Sequence, residues 1–410
     1  MKGWSTAFGQ RFPAQRLIPF LGLLLAFFLW PSLASADSGT PFMFAMGSFQ
    51  VCGTLVLGLL EGILIALVFR AGKIAALFAL VFANYASMAV GLVLLSPLCD
   101  FVFGHFMNRA PLYDMPRLEW ILVGISFVIT LLVEWPFCLL LLWRKRGRWW
   151  KSVLATGLAQ TASYALLIPF FLHISEMGLY RDVDVDPSFV ASVSDDAVVY
   201  FLSSEDGDVY RVRLDGQDRE KVTALGAKDW QDKLFPRRAD DGKHVDLWSG
   251  WGIPSPIEEK LVLPNVGVLP FPDAYNEREW AEWTRWYGYG VPVLDFRSAQ
   301  ARAWEVRQGE WGDWLISAKD EGTGQSLWLS FETPYLLWYA RHAAVMPGDK
   351  VVFELTDSFY QLSGRTVHVP DEIVLLDLRS RKLGLITYGR SPVVVFPEQT
   401  VAAGDTSKPD

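Results

Sequence analysis

The feature that most constrains this chain is a change of pattern near residue 176. Before it lie long apolar runs, and after it lies an acidic segment in which apolar and polar residues alternate with the period of a β-strand. Residues 1–176 carry a net charge of +5, whereas residues 177–410 carry a net charge of −13. Because charged groups are costly inside a bilayer, we expect a helical membrane part followed by a separate, water-exposed β-rich part.

The N-terminus has the pattern of a secretory signal. Three basic residues precede the apolar run Leu17–Trp30, which is followed by small residues that end at Ala36. This pattern predicts a cleavable signal peptide over residues 1–36. An uncleaved signal anchor is the alternative, although the apolar run is shorter than the ~20 residues that a span requires.

Four longer apolar runs predict a four-helix transmembrane bundle over residues 46–174. The runs are Met46–Phe69, Ile74–Leu95, Trp120–Leu142 and Ser152–Leu172. Basic residues are concentrated in the first and third connections, whereas positive and negative charges are balanced in the second, residues 97–119. Since basic loops stay in the cytoplasm, we expect a multi-pass protein of the inner (cytoplasmic) membrane with its C-terminal part periplasmic or extracellular.

Polar residues within the predicted spans fall at one depth. Glu61, Asn84, Glu134 and Gln160 each lie 8 to 10 residues from the predicted cytoplasmic end of a span, or ~12–15 Å at 1.5 Å per residue. Each belongs to a polar stripe at helical spacing, and Ser87 lies one turn from Asn84. We therefore predict one polar layer in the middle of the bundle.

This layer has two interpretations. Its two carboxyl groups have no Lys or Arg in any predicted span to neutralise them, so we expect at least one to be protonated, or the pair to share a proton or cation. It is either an ion or proton site or a hydrogen-bonded layer that fixes the register of the helices. Gly58 and Gly62, which bracket Glu61, form a small-residue pattern that permits close helix approach.

Beyond residue 176 the pattern predicts β-hairpins. The strand-turn-strand units are Ala197–Leu202 with Asp208–Leu214, Val291–Phe296 with Ala301–Val306, and Ile373–Leu378 with Lys382–Thr387. Leu214, Phe296 and Leu378 are spaced 82 residues apart, twice the ~41 residues of a four-stranded propeller blade. We expect a linker at 175–190, an all-β domain at 191–398 and a disordered tail at 399–410.

Two segments of this part resemble the end of a β-propeller blade. They are Val293-Leu294-Asp295-Phe296-Arg297-Ser298 and Leu375-Leu376-Asp377-Leu378-Arg379-Ser380. The resemblance implies a propeller-like extracytoplasmic domain of roughly five blades. A β-sandwich and a partial propeller with irregular insertions are the alternatives.

Aromatic residues offer a candidate binding surface in this part. Trp280, Trp283 and Trp286 repeat every three residues and are typical of a short helix with an aromatic stripe. Such a stripe binds sugars, quaternary amines or partner proteins when it is exposed. It is otherwise part of the core, or rests on the membrane surface or on the predicted loop of residues 97–119. Asp182, Asp184 and Asp186 lack the glycine and glutamate of a calcium loop, so we expect a solvated segment there.

These observations favour two classes of function. The first is a membrane-anchored scaffold or sensor whose outer β-domain binds an envelope protein, a glycan or another ligand. The second is a proton- or cation-coupled transport element that uses Glu61 and Glu134, with the outer domain as a gate. We expect no catalytic residues, no metal and no cofactor, because no motif for them is present. The acidic outer part also argues against nucleic-acid binding.

Overall fold

A computed structural model gives the fold of the chain. It describes residues 39–108, 110–174, 183–228, 232–251, 259–268, 294–295, 304–308, 315–320, 322–330, 338–357 and 369–398. The predicted signal peptide, the Trp280, Trp283 and Trp286 stripe, and the predicted C-terminal tail lie outside these residues.

The first part of the structure consists of four long α-helices. They are α1, Gly39–Val68; α2, Lys73–Phe106; α3, Pro111–Leu141; and α4, Arg148–Ile174. Each helix packs against the next, and α1 also contacts α4. Two stretches, Lys73–Leu94 of α2 and the whole of α3, are long and apolar enough to cross a membrane.

The second connection is much shorter than we predicted. Residues 97–119 were expected to be a loop, but α2 continues to Phe106 and α3 begins at Pro111. Pro111 occupies the first turn of α3, where its missing N–H costs nothing. Of the charged residues that made this segment look like a loop, Asp100 lies on α2, and Asp114, Arg117 and Glu119 lie near the start of α3.

Two glycines set the distance between α1 and α2. A methyl group added at Gly58 would lie 2.6 Å from the Cα of Val81, and one added at Gly62 would lie 2.8 Å from the Cα of Leu77. Ordinary van der Waals contact begins near 3.4 Å. The backbones therefore pack directly against each other at the predicted small-residue pattern, and larger residues would separate the helices.

The second part of the structure is β-rich. Its strands are β1, Asp184–Val185; β2, Val198–Leu202; β3, Val209–Arg213; β4, Glu220–Thr223; β5, Asp232–Arg238; β6, His244–Trp251; β7, Lys260–Val268; β8, Leu294–Asp295; β9, Trp304–Gln308; β10, Leu315–Asp320; β11, Ser326–Ser330; β12, Trp338–Met346; β13, Lys350–Asp357; β14, Glu372–Asp377; β15, Lys382–Tyr388; and β16, Arg390–Val395.

These strands form four sheets. The largest has the order β1-β15-β14-β13-β12-β8, and the others have the orders β16-β2-β3-β4, β5-β6-β7 and β11-β10-β9. Most neighbours are antiparallel, but β1 and β8 add to the edges of the largest sheet as parallel strands. Among the strands that the structure describes, the sheets do not close into a propeller, so only the broader expectation of a β-rich part is confirmed.

Two of the three predicted hairpins are confirmed. Strand β2 pairs with β3, and β14 pairs with β15, each antiparallel. Most of the third, including its turn, lies outside the described residues; within them β8 pairs in parallel with β12, and β9 pairs with β10. The pairing of β8 with β12 joins residues 50 positions apart, such as Leu294 and Ala344, and a local turn pattern does not contain such a contact.

Part of the segment that we expected to be a linker belongs to a sheet. Asp184 pairs with Lys382 and Val185 with Leu383. Asp186 accepts a hydrogen bond of 2.9 Å from the ammonium group of Lys382. One of the three alternating aspartates therefore fixes the chain to strand β15 as it enters the β-rich part.

Candidate functional site

The polar residues predicted to form one layer lie together in the helical part. Each of the four helices contributes to this polar layer. Its members are Glu61 on α1, Asn84 and Ser87 on α2, Glu134 on α3, and Gln160 and Ser163 on α4. Both glutamates are almost completely buried, at 2% and 0% exposure.

Glu61 accepts hydrogen bonds at both carboxyl oxygens. The Asn84 side-chain amide donates to Oε2 over 2.6 Å, and the Ser163 hydroxyl donates to Oε1 over 2.5 Å. These bonds join α1 to α2 and to α4. Since a buried carboxyl without partners would be very costly, they explain how the residue is tolerated here.

Glu134 is held in the same way by Ser87 and Gln160. The Ser87 hydroxyl donates to Oε1 over 2.9 Å, and the Gln160 amide donates to Oε2 over 2.5 Å. The same Gln160 nitrogen also lies 3.5 Å from Oε1 of Glu61. The two carboxyl groups thus share one donor, and a continuous hydrogen-bond network links all four helices. Such an arrangement can hold a shared proton, and it also fixes helix register.

A second polar contact joins the helices to the β-rich part. The carboxyl group of Glu372, fully buried on β14, accepts a 2.9 Å hydrogen bond from the backbone N–H of Leu112. Leu112 lies in the first turn of α3, where backbone N–H groups have no partner within the helix. The Tyr113 hydroxyl accepts a 3.0 Å bond from the backbone N–H of Leu385. Burial raises the pKa of Glu372 well above its ordinary value.

These polar contacts lie within one hydrophobic core that both parts share. Phe103 of α2 and Leu112 and Leu118 of α3 are buried together with Phe353 and Leu376 of the largest sheet. The ends of α2 and α3 therefore continue directly into the β-rich part. A domain on a flexible tether would not bury these residues.

The β-rich part contains a buried group of charged residues that sequence reasoning missed. This charged cluster comprises Lys233 on β5, Arg341 and His342 on β12, Glu354 on β13, Asp371 just before β14, and Arg390 on β16. Its members come from three of the four sheets. Lys233, Arg341 and Arg390 are only 7–8% exposed, which is unusual for basic residues. The one sequence signal was a charge inside an otherwise apolar strand, as at Glu354 in Val351–Leu355.

Glu354 connects three strands of the cluster. Its Oε2 atom lies 3.0 Å from Nδ1 of His342 and accepts a 2.6 Å bond from the backbone N–H of Ser391. His342 and Ser391 both have positive φ, 52° each, and both lie where the strand register shifts. The carboxylate therefore holds two irregular strand positions that L-residues rarely adopt.

The charge states in the cluster follow from its burial. Burial alone would raise the pKa of Glu354, but the His342 hydrogen bond and the Arg341 charge hold it well below its ordinary value. Burial lowers the pKa of His342 and lowers that of Lys233 to about 8. Burial raises the pKa of Asp371 to about 7, although Thr356 donates a 2.6 Å hydrogen bond to it.

The described residues contain no group of three or more His, Cys, Asp or Glu side chains that could hold a metal ion. The polar layer, the Glu372 contact and the charged cluster are therefore the candidate sites of this part of the chain. Comparison with known proteins adds no function to any of them: no protein-family model matches the chain, and no curated protein is significantly similar to it.

Proposed function

We propose that this chain is a multi-pass membrane protein whose β-rich part binds a partner or ligand outside the cytoplasm, as a scaffold or sensor. The observation that carries the proposal is the shared core between α2, α3 and the largest sheet, closed by the Glu372 to Leu112 hydrogen bond. A sensor needs a stiff connection of this kind, because a binding event on a loosely tethered domain would not reach the membrane.

The outer surface of the helices supports insertion in a membrane. Large apolar side chains point outward: Phe78 and Phe82 are each 62% exposed, Val93 is 76% exposed, and Leu132 and Leu140 are 66% and 69% exposed. A water-soluble helical bundle would turn its apolar face inward and its polar face outward. Here the arrangement is reversed, because the polar layer is inside.

A labelling experiment tests the membrane arrangement. Single cysteines would replace exposed residues, Ser204 in the β-rich part and Arg146 between α3 and α4, in a chain without its natural cysteines. A membrane-impermeant maleimide added to intact cells or spheroplasts should label position 204, and should label position 146 only after lysis. Equal labelling of both positions in intact cells, or the reverse order, would contradict the proposed orientation.

Cross-linking tests the binding role. The full-length chain would be cross-linked in native membranes, extracted gently, and analysed by mass spectrometry for the residues that carry cross-links. We expect one specific species linked to residues 183–398. Recovery of no specific species, or of species linked only to the helices, would refute the scaffold or sensor role.

The polar layer supports a second candidate, a proton- or cation-coupled transport element. The specific observation is that Glu61 and Glu134 share the Gln160 amide, so the two carboxyl groups lie close to each other in a buried site. Like charges at such a distance favour a shared proton. Replacing both glutamates with Gln in reconstituted vesicles tests it: a loss of proton uptake at unchanged stability supports coupling, whereas a loss of stability alone supports a structural layer.

A further inference from the structure

Two connections between helices meet at one end of the helical part. They are the first connection, between α1 and α2, and the third, between α3 and α4. The ammonium group of Lys145 in the third connection donates a 3.2 Å hydrogen bond to the backbone carbonyl of Arg70 in the first. Phe69 of the first connection also packs against a hydrophobic core that contains Leu142 of the third. The two connections therefore form one surface rather than two separate loops.

The segments that form this surface carry only positive charge. No Asp or Glu occurs in residues 62–99 or in residues 135–175. The basic residues of the two connections and of the adjoining helix turns, which we call the basic patch, are Arg70, Lys73, Arg144, Lys145, Arg146, Arg148 and Lys151. All of them except Arg148 are exposed. An exposed group of like charges raises the local potential and attracts an anionic partner.

Tryptophans border the basic patch. Trp143, Trp149 and Trp150 are 51%, 54% and 70% exposed. The guanidinium carbon of Arg148 lies 3.7 Å from the centre of the Trp143 ring, so the basic and the aromatic side chains belong to one surface. Exposed tryptophans are typical of the level of the lipid headgroups, where the ring contacts apolar groups and the N–H contacts polar ones.

Exposed apolar side chains lie on the helices within one turn of the two connections. Leu67 of α1 is 58% exposed, Ile74 of α2 is 73% exposed, and Leu140 of α3 is 69% exposed. A surface that is basic at its end, with tryptophans at its border and apolar side chains on the helices, matches the order of a bilayer from headgroup phosphates to acyl chains. An acidic protein or a nucleic acid in water would match the charge of this surface but not its aromatic and apolar border.

We propose that the basic patch binds the headgroups of anionic phospholipids. The basic side chains hold the phosphodiester, and the tryptophans contact the glycerol and the upper part of the acyl chains. Guanidinium and ammonium groups form charge-assisted bonds with phosphate oxygens, and one such bond is worth roughly tenfold in affinity, or less where water competes. The proposal rests on the proposed function for the insertion of the helices in a membrane, and it adds a lipid partner to that function.

Native mass spectrometry of the full-length chain in a neutral detergent tests this surface. Phosphatidylglycerol and phosphatidylcholine with identical acyl chains are added in separate titrations, and the peaks of successive bound lipids give the dissociation constants. Phosphatidylcholine is the reference, because its choline group compensates the phosphate charge. We expect the first phosphatidylglycerol to bind at least about fivefold more tightly than the first phosphatidylcholine. Equal affinities for the two lipids would overturn the proposal.

A variant that lacks three basic side chains shows where the lipid binds. Glutamine replaces Arg144, Arg146 and Lys151, all of which are exposed. Lys145 and Arg148 stay in place, because their contacts hold the surface together. We expect this variant to lose at least about fivefold in affinity for phosphatidylglycerol and to keep its affinity for phosphatidylcholine. An unchanged affinity for phosphatidylglycerol would refute the basic patch as the binding site.

The matched control removes the same number of positive charges from the β-rich part. Its substitutions, all at exposed positions, are Lys243→Gln, Lys260→Gln and Lys319→Gln. The control should bind both lipids as the natural chain does. An equal loss of phosphatidylglycerol binding in the control would show that net charge alone attracts the lipid, and the basic patch would be refuted.

The maleimide experiment separates this surface from the proposed function. Equal affinities for the two lipids, together with the expected labelling of positions 204 and 146, would refute the lipid-binding surface and leave the membrane arrangement standing. A preference for phosphatidylglycerol that the patch variant loses, together with the reverse order of labelling, would support the surface and contradict the proposed orientation.

Discussion

The contact between α1 and α2 allows a quantitative prediction. In Gly58→Ala the new methyl group would lie 2.6 Å from the Cα of Val81, about 0.8 Å inside the 3.4 Å at which ordinary contact begins. The neighbour is backbone and cannot rotate away. The two helices must therefore move apart by roughly 0.8 Å or distort locally, and overpacking of this kind costs about 1–3 kcal/mol.

The same movement reaches the polar layer. Asn84 lies one helical turn from Val81 and donates to Glu61 over 2.6 Å. A separation of about 0.8 Å would stretch this bond to about 3.4 Å, at the limit of a useful hydrogen bond, and would cost about 0.5–1.5 kcal/mol more. Alanine regains about 1 kcal/mol as the better helix former. The three contributions together give an expected net destabilisation of about 0.5–3.5 kcal/mol.

The measurement is the free energy of unfolding in mixed detergent micelles as the denaturing detergent increases. Gly91→Ala on α2 is the matched control, because an added methyl group there meets nothing within 4 Å. That variant should be neutral or more stable by up to about 1 kcal/mol. If Gly58→Ala is as well tolerated as Gly91→Ala, α1 and α2 do not pack directly on their backbones and the reasoning is refuted.

Three further predictions concern the β-rich part. Glu372→Leu leaves the N–H of Leu112 without its acceptor, at a cost of about 1–3 kcal/mol, and should speed limited proteolysis between the two parts; an unchanged cleavage rate would contradict the contact. Burial raises the pKa of Asp371 from 3.8 to about 7, so between those values the folded chain keeps a proton that the unfolded chain has released, and stability falls as the pH rises. When unfolding midpoints are measured over a series of pH values, the fall in stability should be smaller in Asp371→Asn than in the natural chain. The same pH dependence in both chains would disprove the raised pKa of Asp371. Both Gly207 and Gly226 have positive φ, but only at position 207 would an added methyl group meet backbone atoms. In chemical denaturation, Gly207→Ala should therefore lower the free energy of unfolding by at least about 1 kcal/mol more than Gly226→Ala does. Equal losses of stability in the two variants would exclude this close approach.

The helical part was the more predictable one. Helical periodicity placed Glu61, Asn84, Glu134 and Gln160 on inward faces at similar depth, and the structure joins them by hydrogen bonds. This worked because both the rise along a helix and the face on which a residue lies are fixed by local geometry. The continuation of α2 to Phe106 and the start of α3 at Pro111 were missed, because these helix ends are buried by strands hundreds of residues away in sequence.

The β-rich part was predicted only where contacts are local. The β2-β3 and β14-β15 hairpins have their strands and turns in one short segment, and both are confirmed. Strand β8 pairs with β12 about 50 residues later, and β1 pairs with β15 about 200 residues later. The spacing of 82 residues between similar turns therefore did not imply the equivalent blades of a propeller.

The sequence by itself determined the division into an apolar helical part and an acidic β-rich part, the α1-α2 contact at Gly58 and Gly62, and the residues of the polar layer. All of these depend on periodicity and composition, which are properties of neighbouring residues. Only the tertiary structure decided that the ends of α2 and α3 share a core with the largest sheet, that Glu372 accepts a hydrogen bond from the start of α3, and that six ionisable residues on or beside three sheets meet in one buried cluster. The physical reason is that these contacts join residues far apart in the chain, whose proximity depends on how the strands pair and pack.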